Sequence, residues 1–191
     1  QEEINFLEEC LKLINKGEKP EFIKNKFDKS FIKKSGLLSL KPKIIVCNVD
    51  EKSLPDGNKY TDVCKKKFPD ENIIIVCADI EDQIMGLQIK DRKYFMAESG
   101  IKDTGLDNLI RTGYDTLGLS TFFTSGPEES RAWTIEKNSK AADAAGVIHT
   151  DFKKKFIKAE TATHEDFIKY KGFNECKTAG KLRLEGKDYL V

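Results

Sequence analysis

Two short apolar runs, Ile44 to Cys47 in "KPKIIVCNVDE" and Ile73 to Cys77 in "NIIIVCAD", constrain the fold of this chain more than any other feature. Each is rich in β-branched residues and bounded by polar or turn-forming neighbours, the pattern of a strand buried on both faces of a parallel sheet. Parallel strands need a crossover connection, and "NKYTDVCKKKFPDEN" between them reads as a helix with Tyr60, Val63 and Cys64 turned inward. Further helical patterns follow in "DQIMGLQIKDRKYFMAESG" and "GLDNLIRTGYDTLGL", so the order is that of an α/β domain. Two strands do not complete a doubly wound sheet, and the remaining strands are expected to lie outside this sequence.

The flanking regions differ in character. Residues 1–16 carry Ile4, Leu7, Leu11 and Ile14 at helical spacing with Gly17 where a helix would stop, which predicts an amphipathic helix. The charged stretch "EKPEFIKNKFDKSFIKKSG", with Phe22, Phe27 and Phe31 along it, reads as a loop and a short returning helix. After about Leu117, "STFFTSGPEESRAWTI" predicts a hairpin turning at Ser125-Gly126-Pro127. "SKAADAAG" predicts a short helix ending at Gly146, "FIKAETAT" a strand, "HEDFIKYKG" a helical turn, and "KLRLEGKDYLV" a strand, a turn and the start of another strand. A hairpin, a helix and further strands in so short a span suggest a β-grasp unit, a small sheet crossed by a helix.

With 34% charged and 39% hydrophobic residues and a mean hydropathy of −0.50, the composition is that of a globular domain without a disorder signature. No apolar run approaches the roughly 18 residues of a membrane span, and no signal peptide opens the chain, so a cytoplasmic protein is expected. The five cysteines, Cys10, Cys47, Cys64, Cys77 and Cys176, form no C-x-x-C pair and have no histidine at a metal-ligand interval. That argues against a zinc site or a disulfide framework and leaves no metal ligand to name in this chain. The net charge is only +1, but from Asp151 onward ten Lys or Arg stand against seven Asp or Glu. The basic residues include Lys153, Lys154 and Lys155, with Lys158, Lys169 and Lys171 farther along. They read either as a solvated face or as a phosphate-contacting patch that would bind RNA by backbone and shape.

Asn48 closes the first apolar run and Glu51 stands three residues beyond it, at the strand end where open α/β sheets bind ligands. An Asn amide offers a donor and an acceptor to a purine edge, whereas a carboxylate only accepts. An Asp in the place of Glu51 takes the two N–H donors of guanine in P-loop GTPases. Glu, one methylene longer, displaces the carboxylate, weakens that match and opens the site to adenine. A helix-capping Asn and a solvated Glu would give the same pattern. At the neighbouring strand end, Cys77-Ala78-Asp79 combines a thiol that reads as buried with a small residue that lets backbone N–H groups approach a base. His149 in "GVIHTDFKKK" could serve as a general base, but no Ser, Cys or carboxylate stands in a triad arrangement with it, and a histidine structuring a turn is the plainer reading.

The stretches "LLSLKPKIIVCNVDE", "GLDNLIRTGYDTLGLSTFFTSGPEESRAWTI", "AADAAGVIHTDFKKKFIKAETATHEDFIKYKG" and "AGKLRLEGKDYLV" closely resemble the C-terminal half of the YchF or Obg-like ATPases. The resemblance covers nearly the whole chain. It implies the end of a coiled-coil insertion over 1–35, the C-terminal part of a P-loop nucleotide-binding domain over 36–116, and a β-grasp TGS domain over 117–191 that lacks its last strand. Carried over, Asn48 and Glu51 form the base-recognition pair, Val49 packs near the adenine ring, and Cys77-Ala78 is a second base-contacting loop. For the intact protein the resemblance implies Mg²⁺-dependent ATP hydrolysis, with GTP less favoured, coupled to ribosome or ribosomal RNA binding in translation and stress regulation. DNA and membranes are not expected partners, and a monomer is expected. The phosphate loop, the switch regions and the Mg²⁺-binding Ser or Thr lie upstream in the family, so no catalytic residue or bound cofactor is expected in this chain and it should not hydrolyse ATP by itself. A nucleotide-independent RNA- or ribosome-binding module and a redox-responsive regulator acting through the cysteines are the rival readings.

Overall fold

The computed structural model describes residues 1–18, 20–23 and 26–191, with the side chains of Glu21, Phe22 and Lys29 outside that description. The expectation for Phe22 therefore falls outside it. The chain divides into two compact units, Gln1–Thr112 and Gly113–Val191.

The first unit opens with helix α1 (Glu2–Asn15), as the periodicity predicts, but the buried stripe is not the predicted one. Phe6 and Cys10 are fully buried, whereas Ile4, Leu7, Leu11 and Ile14 are about half exposed. The cause is a second apolar stripe, Phe6-Cys10-Leu13. It meets Ile23, Phe27, Phe31, Ile32, Leu37 and Leu40 of the returning segment, with Phe6 and Phe27 edge to face at 5.3 Å. That segment holds a 3₁₀ turn (Pro20–Ile23) and helix α2 (Lys29–Ser35). Asp28 caps α2 by accepting from the Ser30 N–H at 2.7 Å, and Gly36 ends it at φ 65°.

Strand β1 (Ile44–Asn48) pairs parallel with β2 (Asn72–Val76), from Ile44 opposite Asn72 to Asn48 opposite Val76. Helix α3 (Lys59–Lys67) makes the crossover. Two expectations are corrected here. The strands are not buried on both faces: in β2 only Ile74 is fully buried and Val46 of β1 is exposed, because a two-stranded ladder leaves much of its surface uncovered. Tyr60 and Val63 of α3 point to solvent, while Thr61 is buried and Cys64 half buried. Thr61 is drawn inward because it closes a capping box with Asn58, which sets the rotation of the helix.

The predicted helix over 82–100 is two helices, α4 (Ala78–Gly86) and α5 (Ile89–Glu98). The break has a visible cause: the Arg92 guanidinium donates to the carbonyls of Leu87 and Met85, satisfying the open end of α4. Cys77, Ile80 and Ile84 form a buried cluster with Leu54, Phe95, Met96 and Ile101 packed against it. Helix α6 (Gly105–Leu117) follows.

In the second unit, β3 (Leu119–Ser125) and β4 (Ser130–Glu136) form the predicted antiparallel hairpin, closed by a Gly126 N–H bond to the Glu129 carbonyl. Trp133 lies opposite Phe122 and donates its indole N–H to Thr124 Oγ1, with the Arg131 guanidinium over its ring. Helix α7 (Ala141–Ile148) runs past Gly146 instead of ending there. A Cβ on Gly146 would sit 3.0 Å from Cβ of Lys153, so the glycine serves close packing of helix α8 (Thr150–Lys154) and is not a helix stop. Strand β5 (Ala159–Thr161) pairs antiparallel with β6 (Arg183–Glu185), and Leu190 bridges to Lys140. Between them lie α9 (His164–Tyr170) and α10 (Phe173–Thr178), the latter unanticipated and holding the buried Cys176. The hairpin and the β5–β6 ladder are separate two-stranded sheets, so the single crossed sheet expected of a β-grasp unit is not assembled among the described residues.

Candidate nucleotide-base site

The C-terminal ends of β1 and β2 lie side by side in register, Asn48 against Val76. Asn48 Oδ1 accepts the backbone N–H of Ala78 at 3.0 Å, and the Val49 N–H donates to the Val76 carbonyl at 2.8 Å. These bonds bring Asn48, Val49, Cys77 and Ala78 together across the two strand ends. Ala78 is the first residue of α4, whose N-cap, Cys77, supplies no side-chain cap. Asn48 therefore satisfies one of the helix's orphan donors from a different strand.

Two expectations about this edge are revised. Cys77-Ala78 is a strand end running directly into a helix, not a loop. The Asn48 amide is also not wholly free, since one lone pair of its carbonyl oxygen is taken by the Ala78 N–H. The NH₂ group of the exposed Asn48 is a pure donor, suited to a ring nitrogen such as N7 of a purine. Cys77 is buried, as its place at the end of an apolar run suggested. Burial pushes the Cys47 thiol up, and the neighbouring Cys64 thiol on α3 raises it further by hydrogen bonding.

Glu51 opens a 3₁₀ turn (Glu51–Ser53) and is exposed. Among the described residues its carboxylate has no hydrogen-bond or ion-pair partner, so both oxygens are open to a donor. The turn beneath it is tightly held. Asp50 Oδ1 accepts from the Ser53 N–H at 3.0 Å and the Ser53 hydroxyl at 2.5 Å, and Ser53 Oγ accepts from Asn58 Nδ2 at 3.2 Å. Asp50, Ser53 and Asn58 were not singled out from the sequence, although the Asn58-x-x-Thr61 spacing before a helix was a local signal for the cap.

Of the basic residues, Lys155 and Lys158 border one open hollow of about 1120 Å³ together with His149, Phe152 and Ile157. Lys153 and Lys154 end α8, and Lys153 is paired with Asp143 at 2.7 Å. Lys169 lies over the Tyr170 ring and Lys171 is the left-handed cap of α9; neither lines the hollow. His149 caps α8, its Nδ1 accepting the Asp151 N–H at 3.2 Å, which bears out the structural reading of that residue. No three His, Cys, Asp or Glu side chains among the described residues gather as a metal cage. None of the described helices is long and apolar enough to cross a membrane.

Comparison with known proteins places these features in a family. A family model named YchF-GTPase_C, described as a protein of unknown function (DUF933), matches residues 119–191. The chain is 43% identical over 192 residues, 99% of its length, to the ribosome-binding ATPase YchF of Escherichia coli O157:H7, of which it covers 53%. It is 44% identical over 164 residues, 84% of its length, to the protein of the same name from Bacillus subtilis (strain 168), of which it covers 45%. Thus it spans about half the length of the curated relatives it matches. The solved structure of the Schizosaccharomyces pombe YchF GTPase superposes with a TM-score of 0.70 at 35% identity, covering 85% of this chain and 44% of that one. With 43% identity along nearly its whole length to one of these proteins and a matching solved structure, the chain belongs to the YchF family.

Proposed function

We propose that this chain carries base recognition and partner binding for a ribosome-binding ATPase of the YchF type, with ATP preferred over GTP. The observation that carries the reading is the Asn48 Oδ1 bond to the Ala78 N–H. It ties the two strand ends, and in this reading the Asn48 NH₂ donates to a purine ring nitrogen while Val49 offers an apolar edge. Glu51, one turn away with both oxygens open, accepts from the exocyclic amine of adenine. Relatives named as ribosome-binding ATPases support the assignment of class. In this reading residues 1–35 end a coiled-coil insertion, 36–116 complete the nucleotide-binding domain and 117–191 form a TGS unit. The intact protein is a cytoplasmic monomer that uses Mg²⁺ with ATP. Attack of water on the γ-phosphate depends on groups that position and neutralise phosphate, and no residue of this chain is assigned to that step.

Calorimetric titration of the intact protein with ATP and GTP tests the proposal. Tighter ATP binding is expected, and Glu51→Asp should move the preference toward the guanine nucleotide. Equal affinities in the unsubstituted protein, or tighter GTP binding, would overturn it. A second reading, a nucleotide-independent RNA or ribosome binder, is favoured by the hollow bordered by Lys155 and Lys158. Ribosome binding that is unchanged by ATP and falls steeply with salt would support that reading.

A further inference from the structure

We infer that Ser53 is a positioning residue for base discrimination, holding the turn that carries Glu51 in register with the strand ends. The inference rests on the reading of Glu51 as the base-contacting carboxylate and adds the device that fixes it in place.

A glutamate on an exposed turn has three side-chain torsions, and its longer reach discriminates between bases only if the backbone beneath it is fixed. The structure shows how that backbone is fixed. Asp50 accepts from both the Ser53 N–H and the Ser53 hydroxyl, closing the turn around Glu51 from one side. From the other side, the Leu54 N–H donates to the Glu51 carbonyl at 3.1 Å and the Gly57 N–H to the Ser53 carbonyl at 2.7 Å. Ser53 Oγ then accepts from Asn58 Nδ2, and Asn58 is itself held to the start of α3. Its Oδ1 accepts from the N–H groups of Tyr60 and Thr61, and its own N–H donates to Thr61 Oγ1 at 2.8 Å. Gly57, at φ 95°, brings the loop backbone so close to Thr61 and Ile75 that a Cβ there would collide with both. The turn is thus joined to α3 through Ser53 and seated on β2 through Gly57. Ser53 is the only side chain touching both Asp50 and Asn58 in the hydrogen bonds of the described residues, and it does so through one oxygen that donates to the first and accepts from the second.

The test compares Ser53→Ala, which removes that oxygen, with Ser53→Thr, which keeps it, in the intact protein. Affinities for ATP and GTP are measured alongside the thermal midpoint and steady-state hydrolysis. Ser53→Ala should narrow the ATP-over-GTP preference by about fivefold, the value of one net hydrogen bond, through weaker ATP binding. The KM for ATP should rise with kcat unchanged, and Ser53→Thr should restore the preference. Should Ser53→Ala not fold, Asn58→Ser, which keeps an N-cap but lacks the Nδ2 donor, carries the same expectation. A preference within about twofold of the unsubstituted protein in a folded variant overturns the inference. Glu51→Ala separates the two levels: if it leaves the preference intact, the reading of Glu51 fails, whereas a reduced preference there with no change in Ser53→Ala defeats only the role of Ser53.

Discussion

Asn48 bonds the start of α4 and, in the proposed function, also contacts the base, and substitutions separate the two. Asn48→Asp keeps an oxygen for the Ala78 N–H but replaces the NH₂ donors with an acceptor. The strand ends should stay joined while ATP affinity falls by about tenfold or more, since a carboxylate facing a ring nitrogen turns attraction into repulsion. Asn48→Ala also frees the helix donor and should lower stability by about 1 kcal/mol, as removal of an N-cap does. Urea denaturation beside nucleotide titration distinguishes these outcomes. Gly57→Ala is expected to act on the fold. At φ 95°, with Thr61 and Ile75 where a methyl would stand, it should lower stability by roughly 1–3 kcal/mol, read as a shift in urea midpoint at constant slope. Asn48 and Glu51 could be singled out in the sequence because the first ends an apolar strand and the second closely follows it. The network beneath Glu51 was not, because Asp50, Ser53 and Asn58 are ordinary turn residues until the loop returns on itself.

Helix α6 is capped from two sides: Thr104, next to it in the chain, accepts the Asp107 N–H at 3.0 Å, and a residue far upstream takes two further donors. Glu81 on α4 accepts from the Gly105 N–H at 2.5 Å and the Leu106 N–H at 3.4 Å, placing a carboxylate at the positive end of the helix. Gly105 permits this approach, since a Cβ there would lie 2.7 Å from Val76 Cγ1. Glu81→Ala should therefore lower stability by about 1 kcal/mol, and Glu81→Gln by less, measured by chemical denaturation. Close to the same helix start, Arg111 donates to Asp103 at 3.0 Å and holds its carboxyl below the usual carboxylate range. A lowered carboxyl favours the folded state above its unfolded pKa, and that contribution fades as pH falls through the folded pKa. The stability of Asp103→Asn should accordingly differ from that of the unsubstituted chain near neutrality and converge with it at strongly acidic pH. The pair is exposed, so the difference is small. Elements with a local cause were readable in advance: the parallel pair, the β3–β4 hairpin and α9 all announce themselves by run, turn or spacing. Those set by distant partners were not. The face of α1 was decided by the returning phenylalanines, the rotation of α3 by Thr61, and the α4–α5 break by Arg92.

At the scale of the whole molecule, a net charge of +1 gives no long-range pull on a polyanion, so any attraction to RNA must be local. The six lysines read from the sequence are not equivalent in that respect. Lys153 is paired with Asp143, and Lys169 lies over Tyr170, so part of each charge is already engaged within the fold. Lys155 and Lys158 border an open hollow beside the half-exposed Phe152 and the exposed Ile157, with Lys154 adjacent in the chain. Asp151 also borders the hollow, which limits the net positive charge there to the lysines that outnumber it. Removing one phosphate-binding lysine should reduce the slope of log affinity against log salt by about 0.7 for a single strand. Lys155→Ala with Lys158→Ala is therefore expected to flatten the slope for single-stranded RNA by roughly 1.4. Lys153→Ala should change it little, because removing that charge releases Asp143 in its place. Fluorescence anisotropy between about 50 and 200 mM salt covers the useful range. An equal drop for all three lysines would mean that the attraction follows overall charge and not this hollow. An unchanged slope in the double variant would move the RNA-binding surface to another face, and Lys169 and Lys171 at the end of α9 would be the next to substitute.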